Sequence, residues 1–448
     1  MNLSQLYHLP SVARQFLVKH ELVHQVLANA AWIFTDRGIR LLLGLFVGVW
    51  VARYLGPAEF GLLSYAVAFT SLFSIFSTLG LDPIIVREMA REPFRKQEIL
   101  GSALVLRACG AVFGLCLAAV LIWLFKGPSD RVMPLVLILS GTFLFQAFDC
   151  IDLWFQASQQ NRLSVFSKTS VFLIATGLRI VLIIFHAPLI YFAGVILFEA
   201  ILAALALMWM YQRSTGEQVA VLEANWMQVR LFLSEGFPLF LSGFAVLSYM
   251  RIDQIMLGEM LGAQAVGVYA ASSRLVEASF MLPTVLMAAT IPSILKFRGG
   301  DHELVRARFQ KIFLVLSSAA YVIAFAVYIM AGTIVEVLYG TEFQSAAAVL
   351  RVQILSLLFV SLSVASGHYL TIEKHTYVIL ERAVMSAVAS VALNVMLIPR
   401  YHLLGAAWAM VLSHAFAGFF LFRKQASREC LLMMVRSLFP YPYLKRNV

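Results

Sequence analysis

Charge is scarce in this sequence, because Asp, Glu, Lys and Arg together make up 13% of its 448 residues. Hydrophobic residues make up 61%, and the mean hydropathy is +0.85. This apolar excess is more than the core of a water-soluble protein could absorb. Long polar stretches are also lacking, since the longest between apolar runs, residues 212–230, is too short for a soluble domain. The composition therefore predicts a protein that crosses a membrane many times, and it excludes an extramembrane catalytic module.

Cysteine is rare too, and the four cysteines include no Cys-x-x-Cys pair: Cys109, Cys116, Cys150 and Cys430. A disulfide framework and a cysteine-based metal or redox pair are therefore excluded, and we expect packing residues. A cleavable signal peptide is not predicted either, because polar residues interrupt the first apolar run: Arg14, Lys19, His20 and His24. We expect the N-terminus to remain in the cytoplasm.

Apolar runs of membrane-spanning length are what the sequence has in abundance. A helix needs about 20 apolar residues to span the hydrocarbon layer. This length predicts twelve spans, at about 28–52, 58–80, 98–125, 132–156, 162–187, 189–212, 231–257, 264–294, 308–333, 345–370, 377–398 and 402–422. We therefore predict an all-α membrane fold with two six-helix lobes. Its parts are a cytoplasmic N-terminal segment (1–27), an N-lobe (28–212), a cytoplasmic linker (213–230), a C-lobe (231–422) and a basic cytoplasmic tail (423–448).

The distribution of Lys and Arg predicts the orientation, because positive charges near the ends of spans are retained in the cytoplasm. With the N-terminus inside, most basic residues fall in the cytoplasmic connections and the tail, among them Arg87, Lys96, Arg230, Lys374, Arg382 and Arg436. The other side carries Arg53, Lys126, Arg131 and Arg400. Both termini are therefore predicted to be cytoplasmic. Topology and contact with anionic lipid also explain the net charge of +10, so no nucleic-acid partner is implied.

A short pattern, Leu-Gly-x-x-x-x-Gly, occurs twice, at residues 55–61 and 261–267. Each copy lies between two apolar runs, at equivalent positions of the two predicted lobes. Duplicated lobes around an axis are the arrangement by which transporters expose one central site to each membrane face in turn. The repeat thus predicts a transporter whose lobes move about the central linker.

Glycines and prolines indicate where helices pack closely or bend. Two pairs of glycines spaced four residues apart permit close helix approach: Gly44 with Gly48, and Gly110 with Gly114. Three prolines within predicted spans seven and eight are expected to kink them: Pro238, Pro283 and Pro292.

Seven arginines within predicted spans remain once the residues assigned to the connections are set aside: Arg37, Arg40, Arg107, Arg179, Arg251, Arg274 and Arg351. An arginine that faces lipid is costly, and its guanidinium fork suits phosphate oxygens. The functional interpretation is a water-filled cationic cavity for an anionic substrate, with Arg37, Arg40, Arg179 and Arg274 as substrate-binding residues. The alternative is snorkelling to an interface or structural ion pairing, which applies best to Arg107, Arg251 and Arg351.

Carboxylates within the spans are fewer than arginines. Asp36 and Glu277 are candidates to bind a coupling proton or cation, because each lies within one turn of an intramembrane arginine. The same proximity predicts local pairing of Asp36 with Arg37 and of Glu277 with Arg274. A structural, hydrogen-bonded role is the alternative for both, and also for Asp149, Asp152 and Glu199.

One enzymatic motif is present, since residues 20–24 read His-Glu-Leu-Val-His. On a helix this HExxH pattern places two imidazoles on one face beside a glutamate, as in zinc proteases. Against a zinc protease, the motif precedes the first span in a short polar segment and no third ligand follows nearby. A membrane glycosyltransferase or polymerase is a second alternative, but it would need a large outer loop or a nucleotide-sugar module. We therefore expect a transporter with no metal site and no cofactor.

Several motifs together resemble those of one known family. Residues 52–62 (Ala-Arg-Tyr-Leu-Gly-Pro-Ala-Glu-Phe-Gly-Leu) resemble its opening signature, which continues through Leu79-Gly80-Leu81-Asp82 and Val86-Arg87-Glu88. Later stretches are similar to further landmarks of that family: residues 153–157, 251–257, 266–269, 394–399 and 405–407. The family is that of the polysaccharide-export flippases, within the superfamily that also holds multidrug and toxin extruders and lipid II flippases. The resemblance covers about residues 28–422.

This resemblance implies two six-helix lobes that rock around a central cavity. It implies as substrate an oligosaccharide attached to a polyprenyl diphosphate, moved from the inner to the outer leaflet of a bacterial inner membrane for cell-surface polysaccharide such as lipopolysaccharide O-antigen. Relatives have a cationic cavity, which Arg37 and Arg40 would match. The implied partners are this lipid-linked glycan, membrane lipid and polysaccharide polymerase or assembly proteins. A cation-coupled multidrug exporter of the same superfamily is the alternative.

Overall fold

A computed structural model describes residues 11–127, 129–217, 223–295, 302–373, 375–419 and 425–438. For residues 11–37, and for a few others, the description covers the backbone alone. Every regular element among these residues is a helix. The first lobe contains α1 (Ser11–Phe73), α2 (Ile75–Thr78), α3 (Asp82–Arg91), α4 (Lys96–Lys126), α5 (Val132–Ser140), α6 (Thr142–Gln146), α7 (Cys150–Ala157), α8 (Asn161–Ile184) and α9 (Leu189–Thr215).

The second lobe begins with α10 (Trp226–Leu261), which follows a linker that is shorter than the predicted 213–230 because both flanking helices extend into it. It continues with α11 (Ala263–Ser279), α12 (Met281–Leu295), α13 (His302–Tyr339), α14 (Ala346–Gln353), α15 (Ser356–Ile372) and α16 (Thr376–Phe419). The linker is attached to the first lobe by an ion pair of 3.0 Å between Lys96 and Glu217. The hydrogen bond from Lys96 lowers the pKa of the Glu217 carboxyl, so this pair is ionised at neutral pH.

Nine helical stretches among the described residues are long and apolar enough to cross a membrane. Helix α1 has 63 residues, about 95 Å of helix, which is about twice the thickness of a bilayer. Its backbone leaves the helical conformation at Gly56, where φ is 70° and ψ is 170°, and the chain turns back there. Val51 and Leu63, on either side of that break, line the same cavity. Helix α16 has a similar break at His402. Counting each broken helix twice, and α11 with α12 as one more span, gives the twelve predicted spans and confirms the all-α membrane fold.

The two copies of the Leu-Gly-x-x-x-x-Gly repeat pack against each other. A Cβ atom on Gly61 would lie 1.8 Å from the carbonyl oxygen of Ala263, and one on Gly267 would lie 1.9 Å from the carbonyl oxygen of Pro57. Each contact joins the last glycine of one copy to the residue after the first glycine of the other. The lobes therefore meet here with near two-fold symmetry, at a contact that only glycine permits. We call residues 56–61 and 262–267 the turn rim.

The predicted basic tail contains a helix, α17 (Gln425–Leu438). Its apolar face is buried in a cluster with α12, α13, α15 and α16, and the buried residues are Cys430, Met433 and Met434. Arg306 of α13 forms a 2.6 Å ion pair with Glu429 at the edge of this cluster. The tail therefore begins as a packed part of the C-lobe.

Close helix approach at the second glycine pair is present as predicted. A Cβ on Gly110 would lie 2.1 Å from the carbonyl oxygen of Phe76, and one on Gly114 would lie 3.0 Å from that of Phe73. Helix α10 continues through Pro238, and a kink at that proline stays a prediction. The eighth span is interrupted between α11 and α12, at Phe280, before it reaches Pro283.

Arg107 forms a structural ion pair, which was one of the two alternatives considered for this residue. It lies on α4, is 1% exposed, and pairs with Asp82 at the start of α3. The Nε atom of Arg107 has no hydrogen-bond partner within the described part of the chain, so Asp82 provides most of the compensation for this buried charge. The pair fixes the short helix α3 to the core of the first lobe.

We expect Asp82→Asn to destabilise the protein by about 2 kcal/mol, because it leaves a buried guanidinium without a counter-charge. Thermal unfolding of the purified protein would measure the loss. Glu59→Gln is the control, since Glu59 pairs with an Arg131 side chain that is 71% exposed, and such a surface pair contributes little. Equal stability of the two variants would contradict the structural role of the Arg107–Asp82 pair.

Candidate functional site

A cavity of about 440 Å³ lies between the lobes. Residues of α1, α8 and α9 from the first lobe and of α11 from the second form its walls. Its polar lining consists of three arginines and one glutamate: Arg40, Arg179, Arg274 and Glu277. The apolar lining includes Val51, Leu63 and Phe192. The cavity thus combines an excess of positive charge with apolar walls.

The structure brings together most of the residues predicted for the substrate site. Arg40, Arg179 and Arg274 come from α1, α8 and α11 and line the same cavity, although they are far apart in sequence. Glu277, a candidate coupling residue, lines it as well. The side chains of Arg37 and Asp36 lie outside the described residues. Arg40 and Arg179 belong to the first lobe and Arg274 to the second, so their meeting in one cavity depends on how the two lobes dock.

Two of the carboxylates form ion pairs with arginines on neighbouring helices. Glu199 on α9 accepts a 2.6 Å hydrogen bond from Arg179. Glu277 accepts bonds of 2.8 and 3.4 Å from Arg251 on α10. The predicted pairing of Glu277 with Arg274 is therefore wrong, because the carboxylate turns toward the neighbouring helix. Arg251 accordingly has a structural ion pair, the alternative that was considered for it.

Arg274 differs from Arg179, which pairs with Glu199, because no carboxylate among the described residues lies within ion-pair distance of it. Its guanidinium lies 4.7 Å from the ring centre of Phe60, a cation–π contact across the lobe interface. Gly48 on α1 makes room for it, since a Cβ there would lie 2.6 Å from Nη1. Arg40 also contacts an aromatic ring, that of Phe172, at 5.3 Å. The charge of Arg274 is therefore available for an anion that enters the cavity.

The first glycine pair offers a direct test of this arrangement, because only one of its members touches Arg274. A Cβ on Gly44 would meet only the Phe172 ring, at an ordinary 3.8 Å. We expect Gly48→Ala to displace the flexible Arg274 side chain and to weaken binding of inorganic pyrophosphate about tenfold, and Gly44→Ala to leave it unchanged. Calorimetric titration of both purified variants would measure this. Equal affinities would show that Gly48 does not position Arg274.

The remaining predicted charged residues lie outside the cavity. Lys168 pairs with both Asp149 and Asp152, at 2.9 Å in each case, which gives these carboxylates a structural role. Arg351 is exposed on α14. Among the described side chains, no group of three His, Cys, Asp or Glu residues could hold a metal ion, and the side chains of His20 and His24 lie outside the described ones.

Three residues that contribute to the interior were not predicted from the sequence. Phe60 and Gly48 surround Arg274, and only the glycine pair containing Gly48 gave a signal. Arg382 was assigned to a cytoplasmic connection, but it is 7% exposed within α16. The signal for its burial was the spacing of small polar residues after it, Ser386 and Ser390, at steps of four.

Comparison with protein families identifies the group to which this architecture belongs. A profile described as "Polysaccharide biosynthesis protein" matches residues 26–298. The chain belongs to this polysaccharide biosynthesis family. A second profile, MatE, matches residues 238–397. The family resemblance seen in the sequence is confirmed, and family and fold indicate a membrane transporter or flippase, not a catalyst.

Solved structures of low sequence identity share the fold. One is the inward-facing conformation of a multidrug resistance MATE family transporter of the MOP superfamily, with 13% identity, a TM-score of 0.67, and coverage of 91% of this chain and 96% of that one. Lipid II flippase MurJ in an inward closed conformation has 16% identity, a TM-score of 0.62, and coverage of 94% and 93%. A MOP superfamily transporter from Pyrococcus furiosus, described by the reverse polarity of its binding pocket, has 14% identity, a TM-score of 0.51, and coverage of 92% and 95%. A search of curated proteins found no match.

Proposed function

We propose that this transporter flips a polyprenyl-diphosphate-linked oligosaccharide from the inner to the outer leaflet of a bacterial inner membrane. The observation that supports this most is the cationic cavity, in which Arg274 has no carboxylate partner among the described residues. A diphosphate carries several negative charges in a compact group, which guanidinium forks bind in bidentate fashion. The substrate-binding residues of the proposal are Arg37, Arg40, Arg179 and Arg274.

The apolar walls of the cavity and the membrane setting support an amphipathic substrate. A lipid-linked glycan places its diphosphate at the boundary between sugar and hydrocarbon chain, so it needs charge and apolar surface side by side. The matched family profile is named for polysaccharide biosynthesis, and one structural neighbour is named as a lipid II flippase. Delivery of the glycan to a polysaccharide polymerase or assembly protein would follow on the outer face.

A multidrug exporter of the same superfamily is the second candidate, supported by the MatE profile match and by the MATE transporters among the structural neighbours. Many exported drugs are lipophilic cations. The excess of arginine over carboxylate in the cavity would repel them. The charge of the cavity therefore favours the anionic lipid-linked substrate.

The packed turn rim supports transport by alternating access. With the termini in the cytoplasm, the rim would lie on the outer face, where its glycine contacts hold the two lobes together. In our proposal the substrate enters from the inner leaflet, and the lobes then separate at the rim to release it outward. Asp36 and Glu277 stay as candidates for a coupling ion, and at Glu277 such an ion would have to displace the hydrogen bonds from Arg251.

Binding measurements can distinguish the two candidate functions. We expect undecaprenyl diphosphate to bind the purified protein in lipid nanodiscs, with an affinity that falls with added salt. Inorganic pyrophosphate should compete with it, and tetraphenylphosphonium, a lipophilic cation, should not. Binding of tetraphenylphosphonium together with no binding of undecaprenyl diphosphate would favour drug export and overturn the proposal.

A further inference from the structure

A second buried arginine lies in the C-lobe, away from the central cavity. Arg382 begins a polar stripe on α16 whose members follow at steps of four residues and are all buried: Arg382, Ser386, Ser390 and Asn394. This spacing keeps them on one face of the helix. Arg382 does not line the cavity that holds Arg40, Arg179 and Arg274. Its role must therefore be sought within the C-lobe itself.

The neighbours of Arg382 satisfy its hydrogen bonds only in part. Its Nη1 donates to the Ser366 hydroxyl at 2.7 Å, and its Nη2 donates to the Ser363 carbonyl oxygen at 3.4 Å. It forms no ion pair with any carboxylate among the described residues. The titratable groups close enough to act on it are the Tyr249 phenol and the Cys430 thiol, both of which are neutral at pH 7. The positive charge therefore has no counter-charge within the described protein.

An unpaired charge is costly in this position, because the side chain is 7% exposed. The other deeply buried arginine, Arg107, has Asp82 as its partner, and Arg179 in the cavity has Glu199. The two neutral acceptors, the Ser366 hydroxyl and the Ser363 carbonyl oxygen, replace only some of the hydrogen bonds to water that the guanidinium loses on burial. A bound anion would supply the missing charge and accept the remaining N–H groups.

Space for such an anion exists beside the guanidinium. Gly367 on α15 adjoins it, and a Cβ built on Gly367 would have only Arg382 within 4 Å, at 3.7 Å from Nη2. The absence of a side chain at this position leaves a gap next to the unsatisfied N–H groups. The space is shown only for a group the size of a Cβ atom beside a half-buried glycine, so it suits a small inorganic ion.

We infer that Arg382 and Gly367 form a binding site for a small inorganic anion within the C-lobe. The N–H groups of the guanidinium that Ser366 and Ser363 leave free bind the ion, and Gly367 provides its space. The site is separate from the substrate cavity. Halide and phosphate share the chemistry that this site recognises, and they differ in size, so their effects can be compared.

Thermal unfolding in different sodium salts tests this site. The measurements use an Arg274→Gln background, so that anions bound by the central cavity contribute little. At constant sodium and ionic strength, we expect chloride, bromide or phosphate to raise the unfolding temperature by about 3 °C relative to gluconate, in a saturable way. Addition of Arg382→Gln, which keeps a hydrogen-bond donor but removes the charge, should abolish this rise.

A second variant is needed because Arg382→Gln could abolish the response to anions simply by failing to fold. Gly367→Val keeps the charge and fills the gap, and it should abolish the saturable rise as well. A larger response to phosphate than to halide would identify an oxyanion site, and the reverse would identify a halide site. An equal rise with and without the substitutions, or no rise with any of the three anions in the Arg274→Gln protein, would overturn the inference.

Discussion

Arg274→Ala should weaken the binding of undecaprenyl diphosphate about 10- to 100-fold and abolish glycan export while leaving protein abundance near normal. The expected size corresponds to the loss of one or two charge-assisted hydrogen bonds to phosphate. Arg179 in the same cavity is paired with Glu199, whereas no carboxylate in the described part of the chain lies within ion-pair distance of Arg274. Arg274→Lys should recover part of the affinity, because lysine keeps the charge but lacks the bidentate fork.

The matched control for this prediction is Arg351→Ala. Arg351 also lies within a predicted span, but it is exposed on α14 and does not line the cavity. Binding measured in nanodiscs, together with glycan export in cells that depend on this protein, should be unchanged in the control. If Arg274→Ala binds undecaprenyl diphosphate as tightly as the parent protein does, Arg274 is not the principal phosphate ligand.

Alanine at either Gly61 or Gly267 should force the turn rim apart. The added Cβ would lie within 2 Å of a backbone carbonyl oxygen of the opposite lobe, and a backbone atom cannot move aside as a flexible side chain can. Because the two contacts are reciprocal, the two substitutions should have the same effect. We expect each to shift the lobes to a state that is open at the rim and to slow glycan export severely.

Spin labels at Ala58 and Gln264 would measure this opening. Both positions are exposed on the turn rim, one in each lobe, and the background should lack the four native cysteines. Each glycine variant should show a longer distance than the parent protein. Gly194→Ala is the control, since a Cβ there meets nothing within 4 Å. An unchanged distance distribution in both glycine variants would show that these contacts do not hold the rim closed.

Much of the fold could be predicted from the sequence because the membrane imposes simple rules. Apolar length specifies the number of spans, and the repeated Leu-Gly-x-x-x-x-Gly pattern located the equivalent turns of both lobes. The reciprocal contact of Gly61 with Gly267 could not be predicted, because it depends on how the lobes dock. Helix ends were also not predicted accurately. Helix α10 begins at Trp226, before the apolar run that starts at about residue 231, because a polar segment can form part of a helix outside the hydrocarbon layer.

The candidate site was predictable in its residue types but not in its pairing. Arginines within apolar runs indicated a cationic cavity, and Arg40, Arg179 and Arg274 do lie together. Local spacing suggested that Glu277 pairs with Arg274, but partners on an adjacent helix compete equally well, and Arg251 is the one observed. Arg382 was misplaced for a related reason, because a charge close to a helix end can point inward when small residues such as Gly367 leave room for it.

Reconstituted flipping tests the central claim most directly. Proteoliposomes containing the purified protein and a fluorescent undecaprenyl-diphosphate oligosaccharide would be treated with a membrane-impermeant quencher, which reports the fraction of lipid in each leaflet. We expect the parent protein to move the substrate between leaflets, Arg351→Ala to do so at the same rate, and Arg274→Ala to fall to the rate of protein-free liposomes. Transfer by Arg274→Ala at the parental rate, or no transfer by the parent protein while it transports tetraphenylphosphonium, would contradict a phosphate-binding flippase.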